Sequence, residues 1–241
     1  MSFTIAVAGK GGVGKSFVTS MIAVTLNRRG YKVGILDGDI TGPSIPKAFG
    51  IDGSAYGDGK LIFPLTSTGG IKVMSSNLLL ENKDDPIIWR GSLLGNLVKQ
   101  FYEEVLWEEL DYLVIDMPPG TGDIALTVFQ TIPVDDLVIV TSPQDLVSLI
   151  VTKAIKMANM MDIPIYGLIE NMSYVECPDC GKKISIFGES HLEDFSKEIG
   201  FKILGRLPLV SSNAKLVDSG EIEKVSMKEF ESIVDNILGD K

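Results

Sequence analysis

The chain has 241 residues, of which 45% are hydrophobic and 22% are charged. This composition is typical of a globular protein with a substantial buried core, and it argues against extensive disorder. The formal net charge of -10, from 22 basic and 32 acidic residues, argues against a broad surface for nucleic acid, although a local basic pocket can still hold phosphates.

No stretch of the sequence reaches the roughly 18 apolar residues that a membrane helix needs. The apolar run at 3–8 follows no basic segment and ends early, at Gly9 and Lys10, so it predicts a buried strand rather than a secretory leader. We therefore expect a cytoplasmic protein with neither a membrane nor a nucleic acid as partner.

Short apolar runs rich in β-branched residues recur along the chain and predict strands buried on both faces. They lie at 3–8, 32–36, 71–74, 112–115, 137–141, 165–169 and 201–204. Helical spacing predicts helices at 15–29, 145–161, 189–199 and 226–238. This alternation predicts an α/β fold, a mostly parallel β-sheet flanked by helices. No linker divides the chain, so we expect one domain, 1–241, with long loops at 37–70 and 170–188, where such folds place their chemistry.

A phosphate-binding loop follows the first predicted strand. Residues 9–16 read GKGGVGKS, which matches G-x-x-x-x-G-K-[ST] and lies between a strand and a helix, as this motif requires. Lys15 is predicted to neutralise the β- and γ-phosphates during catalysis, and the Ser16 hydroxyl to bind Mg2+. The predicted nucleotide-binding residues of this loop are Gly11, Gly12, Val13, Gly14, Lys15 and Ser16.

Acidic residues at the ends of two later strands are predicted to complete the site. Asp39 follows the second strand and is our first choice for the catalytic group that orients a metal-bound or attacking water. Asp116 ends the apolar strand 112–115 in the form of a Walker B element, whose Asp commonly binds Mg2+ through water.

A second lysine in the phosphate loop, Lys10, makes the resemblance specific. GKGGVGKS resembles the deviant P-loop of the family that includes MinD, the nitrogenase iron protein and the Mrp/Nbp35 iron-sulfur cluster carriers. The segments DGDITGPSIP at 37–46 and IDMPPGTGD at 115–123 resemble switch I and switch II of that family. The resemblance covers nearly the whole chain and implies a dimeric ATPase in which Lys10 acts catalytically on the partner's nucleotide.

Asn171 is predicted to end the sixth strand, where its amide offers both a donor and an acceptor to the adenine edge. The resemblance supports that assignment and implies that 206–208, including Pro208, border the base. The guanine-reading N-K-x-D pattern is absent, which favours ATP.

Cys177 and Cys180 form a C-x-x-C turn whose two thiolates can converge on one metal. Structural zinc and a cubane cluster each need four ligands, but the chain has no other cysteine and one histidine, His191, to which we assign no ligand role. A two-fold homodimer would bring two pairs together. The resemblance implies a labile [4Fe-4S] cluster there, while a shared Zn2+ and a dithiol redox centre remain alternatives.

The favoured function is an ATP-binding, slowly hydrolysing iron-sulfur cluster scaffold or carrier that transfers the cluster to apo-proteins. The alternative is a MinD-like spatial organiser or switch with a structural zinc at the cysteine pair. An organiser of that kind predicts a basic amphipathic C-terminal helix and needs no cysteines. The polar positions of 226–238 are acidic and the cysteines are present, so the sequence favours the carrier.

Overall fold

A computed structural model describes residues 2–40, 42–79, 91–144 and 149–239. The strands in these ranges are β1 (Phe3–Gly9), β2 (Val33–Asp37), β3 (Tyr56–Gly57), β4 (Ile62–Phe63), β5 (Leu65–Thr66), β6 (Lys72–Met74), β7 (Tyr112–Asp116), β8 (Asp136–Thr141), β9 (Ile165–Glu176), β10 (Lys183–Ile184) and β11 (Ile203–Pro208). The α-helices are α1 (Lys15–Arg28), α2 (Ile45–Ala48), α3 (Gly91–Glu103), α4 (Asp123–Thr131), α5 (Leu149–Met160), α6 (Leu192–Ile199), α7 (Ser211–Asp218) and α8 (Lys228–Gly239). Short 3-10 helices lie at Ser76–Leu79 and Ile222–Lys224.

One large sheet runs through the described residues in the order β10, β9, β8, β1, β7, β2, β6, β5, and β11 also pairs with β9. The central pairs are parallel, whereas β5 and β10 pair antiparallel with their neighbours. Strands β3 and β4 form a separate antiparallel pair. The prediction of a mostly parallel sheet is therefore confirmed.

Side chains of β1 alternate between two buried layers. Ile5 and Val7 belong to the apolar layer that also contains residues of α1 and α8, whereas Ala6 and Ala8 belong to the layer with residues of α3, α4 and α5. Because successive side chains of a strand point to opposite faces, helices on both sides of the sheet bury β1 from both sides, and Thr4 is its one polar side chain. The same arrangement explains why the sequence at 3–8 is almost entirely apolar.

All seven predicted strands are present, and the largest difference is in the sixth. β9 continues to Glu176 instead of ending at 169, and it then turns back to pair with β10. The prediction of a long loop over 170–188 is therefore wrong in its first half. The backbone of 170–174 pairs with β11, and this pairing extends the strand through polar side chains that interrupt the apolar run.

Three predicted helices are present as α1, α6 and α8 with small shifts at their ends. The predicted helix at 145–161 corresponds to α5, and 145–148 lie outside the described residues. Within the predicted loop at 37–70 the structure has α2, β3, β4 and β5. No helix in the described ranges combines the length and the apolar content required to cross a bilayer.

Candidate functional site

The glycines of the loop between β1 and α1 have backbone conformations that other residues rarely adopt. Gly12 has φ +85° and Gly14 has φ +82°, and Gly14 lies immediately before the first residue of α1. A Cβ at Gly14 would lie 2.4 Å from Nδ2 of Asn171, whereas a Cβ at Gly12 would meet nothing within 4 Å. The loop therefore needs glycine at position 14 for two reasons, the left-handed backbone and the close approach of β9.

Lys15 and Ser16 begin α1 beneath this loop. The Lys15 side chain is buried, and its Nζ donates to the backbone oxygen of Lys10 at 3.4 Å. Ser16 Oγ donates to Oδ2 of Asp116 at 2.6 Å, and Thr19 Oγ1 donates to Oδ1 at 3.1 Å. The predicted magnesium residue and the predicted Walker B acid are therefore in contact. A hydroxyl beside a carboxylate is the oxygen chemistry that Mg2+ prefers, so these residues fit that ion.

Asp37 is a second buried acid that the sequence analysis did not assign. It ends β2, is directly opposite Asp116 in the β2–β7 register, and has 0% exposure. Ser75 Oγ donates to Asp37 Oδ2 at 3.0 Å, and the backbone N–H of Asp39 donates to Oδ1 at 3.2 Å. Asp37 ends an apolar strand, as Asp116 does, so the same sequence pattern could have identified it.

These carboxyl groups perturb one another. Burial, and next the charge of Asp116, raise the pKa of Asp37 well above its ordinary value. Burial also raises the pKa of Asp116, from 3.8 to about 6, against the opposing effects of the Ser16 hydrogen bond and the Lys15 charge. Asp39 is half-buried, and its charge contributes to raising the pKa of both neighbours. The site therefore holds three carboxyl groups close together, and their mutual repulsion suits them to a divalent cation.

The raised pKa of Asp116 predicts a pH-dependent stability difference between the parent and Asp116→Asn. Between the unfolded pKa near 3.8 and the folded pKa of about 6, the folded parent holds more protons than the unfolded chain, so its stability falls as pH rises. Two pKa units at about 1.4 kcal/mol each mean that the free energy of unfolding of the parent falls by up to about 3 kcal/mol relative to that of Asp116→Asn. Urea unfolding of both proteins at pH 4 to 7, without nucleotide and with a chelator present, measures this difference. A difference between the two proteins that stays constant over this range would contradict the prediction.

A largely apolar cavity of about 220 Å³ lies beside the phosphate loop. Its lining includes Gly14, Phe17, Asn171, Met172, Pro208 and Val210. Asn171 is buried, and its Nδ2 donates to the backbone oxygen of Val13 at 2.9 Å. The structure therefore places both predicted base-contacting residues on one cavity, and it adds a contact from Asn171 to the phosphate loop that the sequence analysis did not predict.

The two cysteines lie in a tight turn at the tip of the β9–β10 hairpin, with Cys177 half-buried and Cys180 exposed. The backbone N–H of Cys177 donates to Lys182 O at 3.0 Å, and that of Gly181 donates to Cys177 O at 2.9 Å. Hydrogen bonds from the backbone N–H groups of Cys180 and Asp179, and then from the Cys180 side chain, lower the pKa of the Cys177 thiol. The turn therefore favours the thiolate that binds metal.

The cysteines lie apart from the phosphate loop. Cys177 immediately follows β9 and is six residues beyond Asn171, a chain length of at most about 20 Å at the rise of an extended strand, and neither cysteine lines the cavity beside the phosphate loop. Among the residues that the structure describes, no group of three or more His, Cys, Asp or Glu side chains is arranged to hold a metal ion. One chain therefore brings two thiols to the hairpin tip and no third ligand from its described part.

The sequence matches the family described as ParA, NUBPL iron-transfer P-loop NTPase, over residues 2–239. An iron-sulfur cluster carrier protein of Clostridium perfringens (strain 13 / Type A) is 46% identical over 226 residues, which cover 90% of this chain and 79% of the relative. Another iron-sulfur cluster carrier protein, from Methanocaldococcus jannaschii, is 45% identical over 240 residues, with 97% and 83% covered.

Solved structures with the same fold include a nucleotide-binding protein from Archaeoglobus fulgidus in complex with ADP. It has a TM-score of 0.85 and 41% identity, and the match covers 95% of this chain and 91% of that one. The cell division ATPase MinD of Pyrococcus furiosus has a TM-score of 0.70 with 19% identity over 100% of both chains, so this similarity concerns the fold alone. Together they confirm the predicted P-loop fold.

Proposed function

Because the chain belongs to the NUBPL iron-transfer P-loop NTPase family, we propose that it is an ATP-dependent iron-sulfur cluster carrier. Its cargo is a labile [4Fe-4S] cluster, held on Cys177 and Cys180 and passed to apo iron-sulfur proteins. The high identity to proteins named iron-sulfur cluster carriers, over most of both chains, supports this function. We place the protein in the cytoplasm, where thiols stay reduced.

The observation that carries the proposal is the C-x-x-C turn at the exposed hairpin tip. A cubane cluster uses four thiolates, and one chain supplies two, so two chains are needed for one cluster. We propose a homodimer with the cluster on its axis. Ile184 and Ile186 are 47% and 46% exposed beside the turn, which is the apolar surface that a partner subunit would cover.

We propose that 1–241 acts as a single ATPase domain with weak, regulatory hydrolysis. The backbone N–H groups of the phosphate loop bind the phosphates, and Lys15 neutralises the charge that develops on them. Ser16 would hold Mg2+, and Asp116 positions the Ser16 hydroxyl through the 2.6 Å hydrogen bond. Asp39 orients the attacking water, and Lys10 acts on the nucleotide of the partner subunit.

We propose that the adenine base lies in the cavity between α1 and β11. Phe17, Met172 and Pro208 supply apolar contacts to the ring faces. Asn171 reads the base edge with the part of its amide that does not hold Val13. ATP occupancy then sets the geometry of the dimer and thereby the access of apo-proteins to the cargo.

Anaerobic reconstitution with ferrous iron and sulfide tests the carrier function. We expect about four iron and four sulfide per dimer, and transfer of the cluster to an apo [4Fe-4S] enzyme with recovery of its activity. The variant Cys177→Ala/Cys180→Ala should retain less than about a tenth of the iron, because no other cysteine is present. Its affinity for Mg-ATP should equal that of the parent, since neither cysteine lines the cavity beside the phosphate loop.

Ser196→Ala is the matched control, a small change in α6 that leaves both cysteines in place, and it should bind iron like the parent. Zinc that resists replacement by iron would instead favour the alternative of a MinD-like switch with a structural zinc. Absence of any metal on the parent protein would also refute the carrier function.

A further inference from the structure

Glu170 is a buried carboxylate that has no assigned role in ATP binding, ATP hydrolysis or cluster binding. It lies in β9 with 0% exposure. Ser173 Oγ donates to its Oε2, and Ser190 Oγ donates to its Oε1 at 2.7 Å. A fully buried carboxylate is costly unless hydrogen-bonded donors hold it, so these two serines account for its tolerance in the core.

The two serines bracket the cysteine hairpin. Ser173 precedes the segment 174–189 and Ser190 follows it, and the cysteine turn is the tip of that segment. The Glu170 carboxylate therefore accepts hydrogen bonds from both segments that flank the hairpin, the one before it and the one after it. Ser190 Oγ also accepts from the backbone N–H of Leu192 at 3.2 Å, which ties the same contact to the start of α6.

Arg206 extends this network to β11. It is opposite Glu170 in the β9–β11 register, and its Nε is 3.7 Å from Glu170 Oε2. The Arg206 Nη2 atom also lies 3.4 Å from Oε1 of Glu193 in α6. Arg206 is thus held between the carboxylate at the base of the hairpin and the helix that follows it.

The residue next to Glu170 contacts the phosphate loop. Asn171 donates to Val13 O, and neighbouring side chains of a strand point to opposite faces. The dipeptide 170–171 therefore holds the base of the hairpin on one side and the phosphate loop on the other. Met172 follows with φ +56°, a left-handed conformation that is unusual for a non-glycine residue and marks a fixed bend.

We propose that Glu170 is a positioning residue that fixes the cysteine hairpin relative to the phosphate loop and couples thiol accessibility to nucleotide binding. This inference rests on the proposed role of the cysteines as the cargo site. Nucleotide fixes the phosphate loop and, through Asn171, the segment of β9 that carries Glu170. The serine contacts then hold the hairpin, so its thiols react more slowly when nucleotide is bound.

Alkylation of the apo-protein with N-ethylmaleimide measures this coupling, because the chain has only the two cysteines of the hairpin. In the parent, saturating Mg-ADP should slow alkylation about fivefold or more, as expected for coupling between two sites. In Ser190→Ala the rates with and without Mg-ADP should agree within about twofold, because one end of the hairpin has lost its tie to Glu170. Ser173→Ala should behave in the same way.

Two further variants separate positioning from a general loss of stability. Ser190→Thr keeps the hydroxyl and should restore the slowing by Mg-ADP. Ser196→Ala removes a different serine hydroxyl of this region, one that donates to Phe201 O, and should leave the slowing unchanged. The Mg-ADP affinity of each variant, measured separately, should stay within about twofold of the parent.

Equal alkylation rates with and without Mg-ADP in the parent would overturn the inference, and so would slowing that persists in both Ser173→Ala and Ser190→Ala. These outcomes leave the carrier function intact, because iron binding and cluster transfer are measured in other experiments. Conversely, a parent protein that binds only zinc refutes the carrier function without changing the alkylation result.

Discussion

Lys15→Ala is expected to lower the rate of ATP hydrolysis by about 100-fold or more. Lys15 is the buried cation at the start of α1, and its ammonium lies against the phosphate loop through the contact with Lys10 O. Charge that develops on the transferring phosphoryl group needs a fixed cation in a site protected from water, and alanine provides none. Phosphate release under saturating Mg-ATP measures the effect.

The matched control for this change is Lys99→Ala, which removes an exposed lysine of α3 paired with Glu103. It should leave hydrolysis within about twofold of the parent, as expected for a solvent-exposed ion pair. Thermal unfolding with Mg-ADP separates binding from folding, because a ligand at about 100 times its Kd stabilises the folded state by about 2.7 kcal/mol. Lys15→Ala should unfold cooperatively and lose most of that stabilisation. A variant that hydrolyses ATP like the parent would show that Lys15 is not catalytic.

Gly14→Ala is expected to weaken nucleotide binding by about 30-fold or more. A non-glycine residue at φ +82° costs about 1–3 kcal/mol, and the added Cβ would lie 2.4 Å from Asn171 Nδ2. To avoid that contact Asn171 must leave Val13 O, or the loop must leave the conformation that directs its N–H groups at phosphate. Titration with a fluorescent ATP analogue gives the affinity.

Gly12→Ala is the control that isolates the contact with Asn171. Gly12 has almost the same φ, but a Cβ there meets nothing within 4 Å, so this variant has the backbone cost alone and should bind nucleotide at least about tenfold more tightly than Gly14→Ala. In a double-mutant cycle, Asn171→Ala should remove part of the penalty of Gly14→Ala. Strict additivity of the two changes would show that Asn171 does not create the penalty.

The parts of the site that the sequence predicted are those encoded by local patterns. The phosphate loop is a contiguous motif between a strand and a helix, and Asp116 follows an apolar run of four residues, with which it forms β7. Such features depend on residues close in the chain, so a single sequence contains them. The order of strands was not predicted, because pairing joins segments far apart in sequence.

The features that the sequence did not predict depend on long-range contacts. In residues 170–176 polar side chains interrupt the apolar pattern, and pairing with β11 and β10 extends the strand through them. Glu170 meets Ser190 across 20 positions, and Asn171 meets Val13 across 158. No local pattern contains either pair. Asp37 could have been recognised by the rule used for Asp116, but Asp39 had already been assigned in the same segment.

The number of residues from Asn171 to Cys177, most of which lie in β9, sets limits on how this protein can change in evolution or by design. Adding one residue between these positions would turn every following side chain to the other face of the strand and would shift the cysteines by about 3 Å. Changes of length between Ile184 and Ser190 leave that spacing intact, because these residues come after β10, the second strand of the hairpin. We therefore expect natural and engineered insertions and deletions in the segment 184–190, whereas the number of residues in 171–177 should stay constant.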